Sequence, residues 1–537
     1  MKLYQALADA LIEQDGAPVF GLMGDANMLY VSAFRERGGR FVAAAHETGA
    51  VAMADSWSRA TGRIGLSTVT HGPGVTNALT GLVEAVRSRS HVLLLTGATP
   101  GEPTHFQRLD LSTFAAAAGA GYERVHRPES LYRDVSRALQ RILAEDRPVL
   151  LDVPYDLLLA SVSVDPAAVR APSHRARLVA GEMQLDSALG LIASATRPVI
   201  LAGRGAVTAG AERSLVELAE LIGAPLATSV PAKDMFAGHP SNLGICGNLT
   251  HTAASTVLAE ADCIVAFGSS LNLHTTMRGE LTAGKKIVQI DSDPGRFGWY
   301  LRPDEAVVGD ADDVASVFIA RLREAGHTSQ RGWLDRAQGL IADFDPRSEF
   351  QDRSNGSTID VRVAAVELDE RLPARRNVVS DLGRFVHAAW PYIHTEDASR
   401  FTAMGGFGAI GLGLAGAIGM AVARPDAPTV CLVGDGGFMM NPAELATAVR
   451  EQLPVIVVVF NDGAYGAEYH KFLVHGVDPA HSYMSWPDIQ RVAEGLGAEA
   501  ISVAKTSDFD AVAELLVDRT RPLVLDIRLD PTVDIVA

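Results

Sequence analysis

Apolar residues fall into short uninterrupted runs, bounded by Gly, Pro or Asp, that alternate with stretches of helical period. HVLLLTG (His91–Gly97), RPVILAG (Arg197–Gly203), CIVAFG (Cys263–Gly268), KIVQID (Lys286–Asp291) and PVIVVVF (Pro454–Phe460) are runs of this kind. A strand apolar on both faces and followed by a helix predicts a parallel sheet covered on both sides. The runs group into three βα blocks, with polar or proline-containing connectors near Val162–Arg177 and Phe344–Thr358. The expected fold class is α/β, with three domains over residues 1–165, 185–345 and 358–537, each a mainly parallel sheet flanked by helices. RPVLLDVP (Arg147–Pro154) closes the first block and RPLVLDIR (Arg521–Arg528) closes the third. This weak echo suggests a shared topology for the outer blocks. The middle block carries AGRGA (Ala202–Ala206) after a strand and looks like a Rossmann-type half, but one GxG does not establish a nucleotide site.

At 537 residues the chain exceeds one hydrophobic core, in keeping with several domains. A net charge of −17 argues against a nucleic-acid footprint, which needs a basic patch, and against an anionic membrane surface. Three cysteines, Cys246, Cys263 and Cys431, have no metal-ligand spacing and read as small core residues of a reducing compartment. The N-terminus, MKLYQALADALIEQDG, reads as an amphipathic helix and not as a signal peptide, so a cytoplasmic location is expected. Phe401–Ala423 is uncharged and long enough to span a bilayer, yet its seven glycines suit close backbone packing around a ligand better than a lipid-facing helix. No membrane partner is expected.

The strongest chemical signal lies in the third block. The strand TVCLV runs into Gly434-Asp435-Gly436-Gly437, and 24 residues separate this GDG from Asn461-Asp462 at the end of PVIVVVF. Both strands end at one edge of a parallel sheet, where open α/β folds bind ligands. Asp435 and Asp462 can then converge on one hard cation, with backbone amides after Gly436 facing a diphosphate near a helix N-terminus. Asn441-Pro442 reads as the N-cap and first residue of the intervening helix, with Leu445 and Val449 on one face.

This segment resembles the GDG-x(24–27)-NN motif of thiamine diphosphate (ThDP) dependent enzymes of the acetolactate synthase, pyruvate decarboxylase and benzoylformate decarboxylase type. The resemblance covers nearly the whole chain. It implies two ThDP-binding-type domains around the Rossmann-like one, with Mg²⁺ held by Asp435, Asp462 and the main-chain carbonyl of Ala464. Asp462 stands where the family usually has Asn and leaves the site one charge more negative. Arg384, in SDLGRF (Ser380–Phe385) with Gly383, resembles part of the loop contacting the diphosphate and is a candidate counter-charge; a solvated surface arginine is the alternative.

AHETGAVAMADSWSRATGR (Ala45–Arg63) resembles the family's pyrimidine-domain helix and its preceding glutamate, which makes Glu47 the expected partner of the pyrimidine N1′. THGPGVTNALTG (Thr70–Gly81) resembles the turn lying on the pyrimidine of a neighbouring subunit's cofactor, with Pro73 and Asn77 as contacts. In the glycine-rich stretch, Gly408 belongs to the cofactor cradle and Ile410 aligns with the bulky residue that wedges between the cofactor rings. A homodimer or homotetramer with active sites between subunits is implied.

The reaction expected from the resemblance is decarboxylation of a 2-oxo acid through a C2-bound enamine, with aldehyde release or acyl transfer. An acetolactate synthase-like carboligase and a non-catalytic relative are the alternatives. Asp25 in GLMGDANM, His105 in PTHFQ and Glu468 in NDGAYGAE resemble proton-handling residues of the decarboxylases, although HFQ also resembles the AFQ of acetolactate synthases. Each acidic side chain can equally be half of a salt bridge. His71 either lines the same pocket or caps its turn. FAD binding is not expected, because the flavin-contacting segment of acetolactate synthases is replaced by FGSSLNLHTTM (Phe267–Met277) and their MHG by Ile245-Cys246-Gly247.

Overall fold

The computed structural model describes residues 1–14, 16–163, 178–329, 331–517 and 519–535. Most of the connector expected near Val162–Arg177 lies outside these residues.

Eighteen strands form three parallel six-stranded sheets. The first contains β1 (Val19–Gly21), β2 (Phe41–Ala43), β3 (Gly65–Thr68), β4 (Val92–Thr96), β5 (Gly121–Arg124) and β6 (Val149–Asp152), in the order β2-β1-β3-β4-β6-β5. The second contains β7 (Pro198–Ala202), β8 (Leu226–Thr228), β9 (Asn242–Ile245), β10 (Cys263–Phe267), β11 (Lys286–Asp291) and β12 (Glu305–Val308), in the order β12-β11-β10-β7-β8-β9. The third contains β13 (Asn377–Ser380), β14 (Phe401–Ala403), β15 (Thr429–Gly434), β16 (Val455–Asn461), β17 (Glu499–Val503) and β18 (Leu523–Arg528), in the order β14-β13-β15-β16-β18-β17. Each apolar run singled out in the sequence is a strand, and β4, β7, β10 and β16 are buried along their whole length.

Counted within each domain, the outer sheets have the same order, and the two echoing segments supply the same strand, β6 in one and β18 in the other. The middle sheet has the doubly wound order of dinucleotide-binding folds. At its switch point the loops after β7 and β10 pack together: Gly203 N donates to Phe267 O (2.8 Å) and Gly205 N to Gly268 O (3.0 Å).

The outer domains of one chain pack through two helices, Glu47–Thr61 and Gly413–Ala423, and a single apolar cluster runs from the first domain into the third. A Cβ on Gly419 would lie 2.1 Å from Met53 O, so glycine lets the two backbones touch. The uncharged Phe401–Ala423 stretch is thus strand β14, a glycine turn and a buried helix. Among the described residues no helix is long and apolar enough to cross a membrane. All three cysteines are buried and free.

One expected element differs. The segment after Asp435 forms two short helices, Asp435–Met440 and Glu444–Arg450, and Asn441 caps the C-terminus of the first instead of the N-terminus of a single one. Gly434 takes an extended conformation as N-cap (φ −79°, ψ 162°), so the helix begins at Asp435. Pro442 has no N–H to donate and sits in the break. Leu445 is buried and Val449 packs against the core, as expected.

Candidate active site

Because every sheet is parallel, the loops after β1 to β4 and after β13 to β16 emerge at the carboxyl edges of the two outer sheets, and these carry the expected site residues. In the third domain Asp435 follows β15 and Asp462 follows β16. Asp435 Oδ1 accepts from Gly436 N (2.9 Å), while Oδ2 is buried without a partner among the described residues. The indole of Trp486 lies against the same carboxyl, but its Nε1 falls outside hydrogen-bond geometry and is also unpartnered among the described residues. Asp462 Oδ1 accepts from Ala464 N (3.1 Å). The Ala464 carbonyl accepts no hydrogen bond among the described residues. Asn461 turns away, its Nδ2 donating to Asp526 Oδ1 (2.7 Å), so one residue of the pair serves the sheet and the other the site.

Burial pushes Asp435 up to about 6. Burial, and then the charge of Asp435, push Asp462 up to about 7. Two neighbouring carboxylates that resist ionisation mark a place short of positive charge. Part of that charge is Arg384, after β13. It is half-buried, its Nη1 donates to Pro531 O (3.1 Å), and its Nε and Nη2 have no acceptor among the described residues. Burial holds the Arg384 guanidinium below its ordinary value, with Asp462 as the strongest opposing charge. It is not a solvated surface arginine. Gly408 (φ 84°) and half-buried Ile410 follow β14, and Asp381 Oδ2 accepts from Gly411 N (2.7 Å).

The first domain presents a second group. Glu47 opens its helix, where His46 is the N-cap, and Asn77 Nδ2 donates to Glu47 Oε2 (3.1 Å). Asn77 thus touches the glutamate directly. Pro73 is the first residue of the helix Pro73–Arg87. His71 is buried (2% exposed), with Nε2 3.0 Å from Gln107 Oε1, and Nδ1 is unpartnered among the described residues. Its ring meets the His105 ring edge-on, at 5.8 Å between centroids. Asp25, after β1, is exposed; Gly24 and Ala26 beside it pack on Thr70. The fold therefore gathers Asp25, His71 and His105 at one edge. Glu468 lies apart from them, 54% exposed on the helix Gly466–Val474, with Lys471 Nζ donating to its Oε1 (3.2 Å).

Among the described residues, no hydrogen bond or ion pair within the chain joins the Glu47 group to the Asp435 group. Both edges also expose large apolar side chains, with Phe106 at 89% and Met440 at 61%.

Three family models match in sequence order: the N-terminal TPP binding domain of thiamine pyrophosphate enzymes over residues 1–114, the central domain over 185–318 and the C-terminal TPP binding domain over 381–527. A probable acetolactate synthase large subunit of Methanocaldococcus jannaschii is 30% identical, with 99% of this chain and 92% of the relative aligned. The chain belongs to the thiamine diphosphate-dependent enzymes. Escherichia coli acetolactate synthase isozyme 3 large subunit is 29% identical over 98% of this chain and 93% of its own. A sulfoacetaldehyde acetyltransferase of Alcaligenes xylosoxydans is 28% identical over 96% and 90% respectively. Membership of this family accounts for the two like outer domains around a Rossmann-type one.

Three participants gave no explicit chemical signal in the sequence. Glu84 and Glu444 are fully buried carboxylates bonded across domains, and Trp486 closes on Asp435. Glu84 alone left a trace: it follows Gly74, Ala78 and Gly81 on a helix stripe that is otherwise apolar.

Proposed function

We propose that this enzyme uses ThDP and Mg²⁺ to decarboxylate a 2-oxo acid and to transfer the acyl unit to an acceptor. The observation that carries the proposal is the third-domain edge: two carboxylates with raised proton affinity, one orphan oxygen and a guanidinium with two free N–H groups. That donor set fits a hard cation bridging to a diphosphate. Asp435, Asp462 and the Ala464 carbonyl would hold Mg²⁺. Among the described residues no cluster of three His, Cys, Asp or Glu is placed to hold a metal, so the remaining ligands would come from diphosphate and water. The amides of Gly436 and Gly437 in the first helical turn, with Arg384, would hold the diphosphate. Gly383, Gly408 and Gly434 leave room for it, and Ile410 would set the angle between its rings.

When bound, ThDP supplies a carbon nucleophile for the 2-oxo carbon and a sink for the electrons released with CO₂. Glu47, oriented by Asn77, holds a proton at the pyrimidine N1′. Pro73 and its turn cover the ring. Asp25, His71 and His105 line the side where substrate arrives and manage protons there. The names of the relatives, acetolactate synthases and sulfoacetaldehyde acetyltransferases, favour transfer over release. Glu468 leaves room for the second reading, in which the acyl unit is protonated and released as an aldehyde.

The Glu47 group and the Asp435 group face outward on separate edges, which supports a homodimer or a homotetramer that completes each site from two chains. Retention of Glu47 with both aspartates argues against a non-catalytic relative. The engaged amides of Gly203 and Gly205 support a middle domain that takes up no FAD. Mixing Glu47→Gln subunits with Asp435→Ala subunits tests the shared site. Heterodimers should regain ThDP-dependent CO₂ release, up to about a quarter of wild type if one site of each pair is intact and mixing is random. Inactive heterodimers, beside a wild-type control that survives reassembly, would remove the shared-site proposal.

A further inference from the structure

The outer domains share a strand order, and each projects a fully buried glutamate into the other. Glu84 lies on the helix between β3 and β4. Its Oε1 accepts from Gly406 N (2.9 Å) and its Oε2 from Phe407 N (2.7 Å), in the loop between β14 and the helix Gly413–Ala423. Glu444 lies on the equivalent connection between β15 and β16. Its Oε1 accepts from Ala45 N and His46 N (3.1 Å each), in the loop between β2 and the helix Glu47–Thr61. Each glutamate comes from the helical segment after the third strand of its own sheet and grips the loop after the second strand of the other.

We propose that Glu84 and Glu444 are reciprocal positioning residues, Glu444 setting the loop that presents Glu47 and Glu84 setting the loop that presents Ile410. The inference rests on the ThDP reading of those two side chains. His46 directly precedes Glu47, and Phe407 stands three residues before Ile410. Among the described residues the four loop amides have no other acceptor. Burying a carboxylate is costly unless N–H donors replace water, and here two consecutive amides do so at each end. A carboxylate suits the task because its two oxygens reach adjacent amides of one turn. Burial raises the proton affinity of Glu444, and those amides oppose the rise. Gly49 makes room: a Cβ there would stand 2.2 Å from Glu444 Oε1. Under the shared-site reading, Glu444 in one chain aims the acid of a site whose cofactor the partner holds.

Two readouts test this on the full-length protein with Glu444→Gln, Glu84→Gln and the corresponding Ala variants. The first needs no cofactor: hydrogen–deuterium exchange of the apoprotein by mass spectrometry. Glu444→Gln should speed exchange across residues 44–47 by tenfold or more and leave 405–410 unchanged, and Glu84→Gln should do the reverse. The second is the rate of C2-proton exchange of bound ThDP at saturating cofactor. It should slow about tenfold in each Ala variant, with the Gln variants recovering part of the loss through the oxygen they retain. Unchanged loop exchange in the Gln variants overturns the clamp. Loosened loops with wild-type C2 exchange overturn the positioning role and leave a plain domain contact. If wild type binds no ThDP, the cofactor reading of the site falls, while the loop measurement still judges the clamp. An Ala variant that fails to fold leaves the Gln pair to decide.

Discussion

Replacing Arg384 by Met should affect the apo and cofactor-bound states very differently. In the apoprotein the side chain makes one hydrogen bond, from Nη1 to Pro531 O, while Nε and Nη2 lie unpartnered among the described residues. Losing that bond and the attraction to Asp462 costs about 1–2 kcal/mol, and removing two unsatisfied buried donors returns about as much. Apo stability should therefore move by no more than about 1 kcal/mol. With ThDP and Mg²⁺ present, both free N–H groups would bond the diphosphate. At about 1.5 kcal/mol for each charge-assisted bond, truncation costs about 3 kcal/mol, or ~10²-fold in Kd. At a ThDP concentration of about 1,000 times the wild-type Kd, ligand stabilisation is about 4 kcal/mol and should drop to about 1.4 kcal/mol in the variant. Calorimetric titration with ThDP at saturating Mg²⁺, with thermal melts of both states, measures the two quantities. An unchanged ThDP affinity with an apoprotein destabilised by more than about 2 kcal/mol would refute the argument and make Arg384 a structural counter-ion for the two aspartates.

Asp55 is fully buried and pushed up by burial from an ordinary 3.8 to about 6, so it penalises folding once the unfolded chain has ionised. That penalty grows between about pH 4 and pH 6 to about 3 kcal/mol, and Asp55→Asn should become more stable relative to wild type by that amount over the window, as read from urea midpoints. A difference that stays constant with pH would show that Arg59 and Ser90 already offset the charge. Glu468→Gln should keep ThDP binding and C2-proton exchange while turnover falls by roughly 10²–10⁴, the usual contribution of a general acid; unchanged turnover would reduce Glu468 to the surface partner of Lys471 seen in the structure.

The strands were legible because a parallel strand between two helix layers must be apolar on both faces, which leaves runs such as VLLLT and VIVVVF that little else produces. The repeat of RPVLLD in RPLVLD held meaning for the same reason: both close their sheet as the sixth strand, next to the fourth. The two short helices after Gly434 were not legible. Asn-Pro is a good helix start taken by itself, and only the ready N-cap at Gly434 shows that a helix is already under way. Glu84 and Glu444 were hidden for another reason. A carboxylate is stabilised inside a protein by the donors it meets, and theirs lie 322 and 399 residues away in the chain. Sequence spacing records neighbours on one element, not amides on another domain.

The same distinction explains the departure from Asn-Asn. Asn461 keeps its family identity and its side chain is spent on the sheet, against Asp526, so replacing it would unpair a buried carboxylate of β18. Asp462 points the other way, toward Asp435 and Arg384, where the constraint is net charge and not a fixed partner. An added carboxylate at that position is tolerable only if a cation enters with it. Arg384 is the residue that couples most strongly to Asp462 in the attractive sense, and it replaces a position where acetolactate synthases tend to carry a neutral side chain. The two departures thus compensate one another, which makes a definite demand on the double variant. Asp462→Asn together with Arg384→Gln should bind ThDP more tightly than Arg384→Gln alone, because the diphosphate no longer faces an unbalanced carboxylate. If the two substitutions are simply additive in ThDP affinity, the charges are not coupled and each residue must be explained separately.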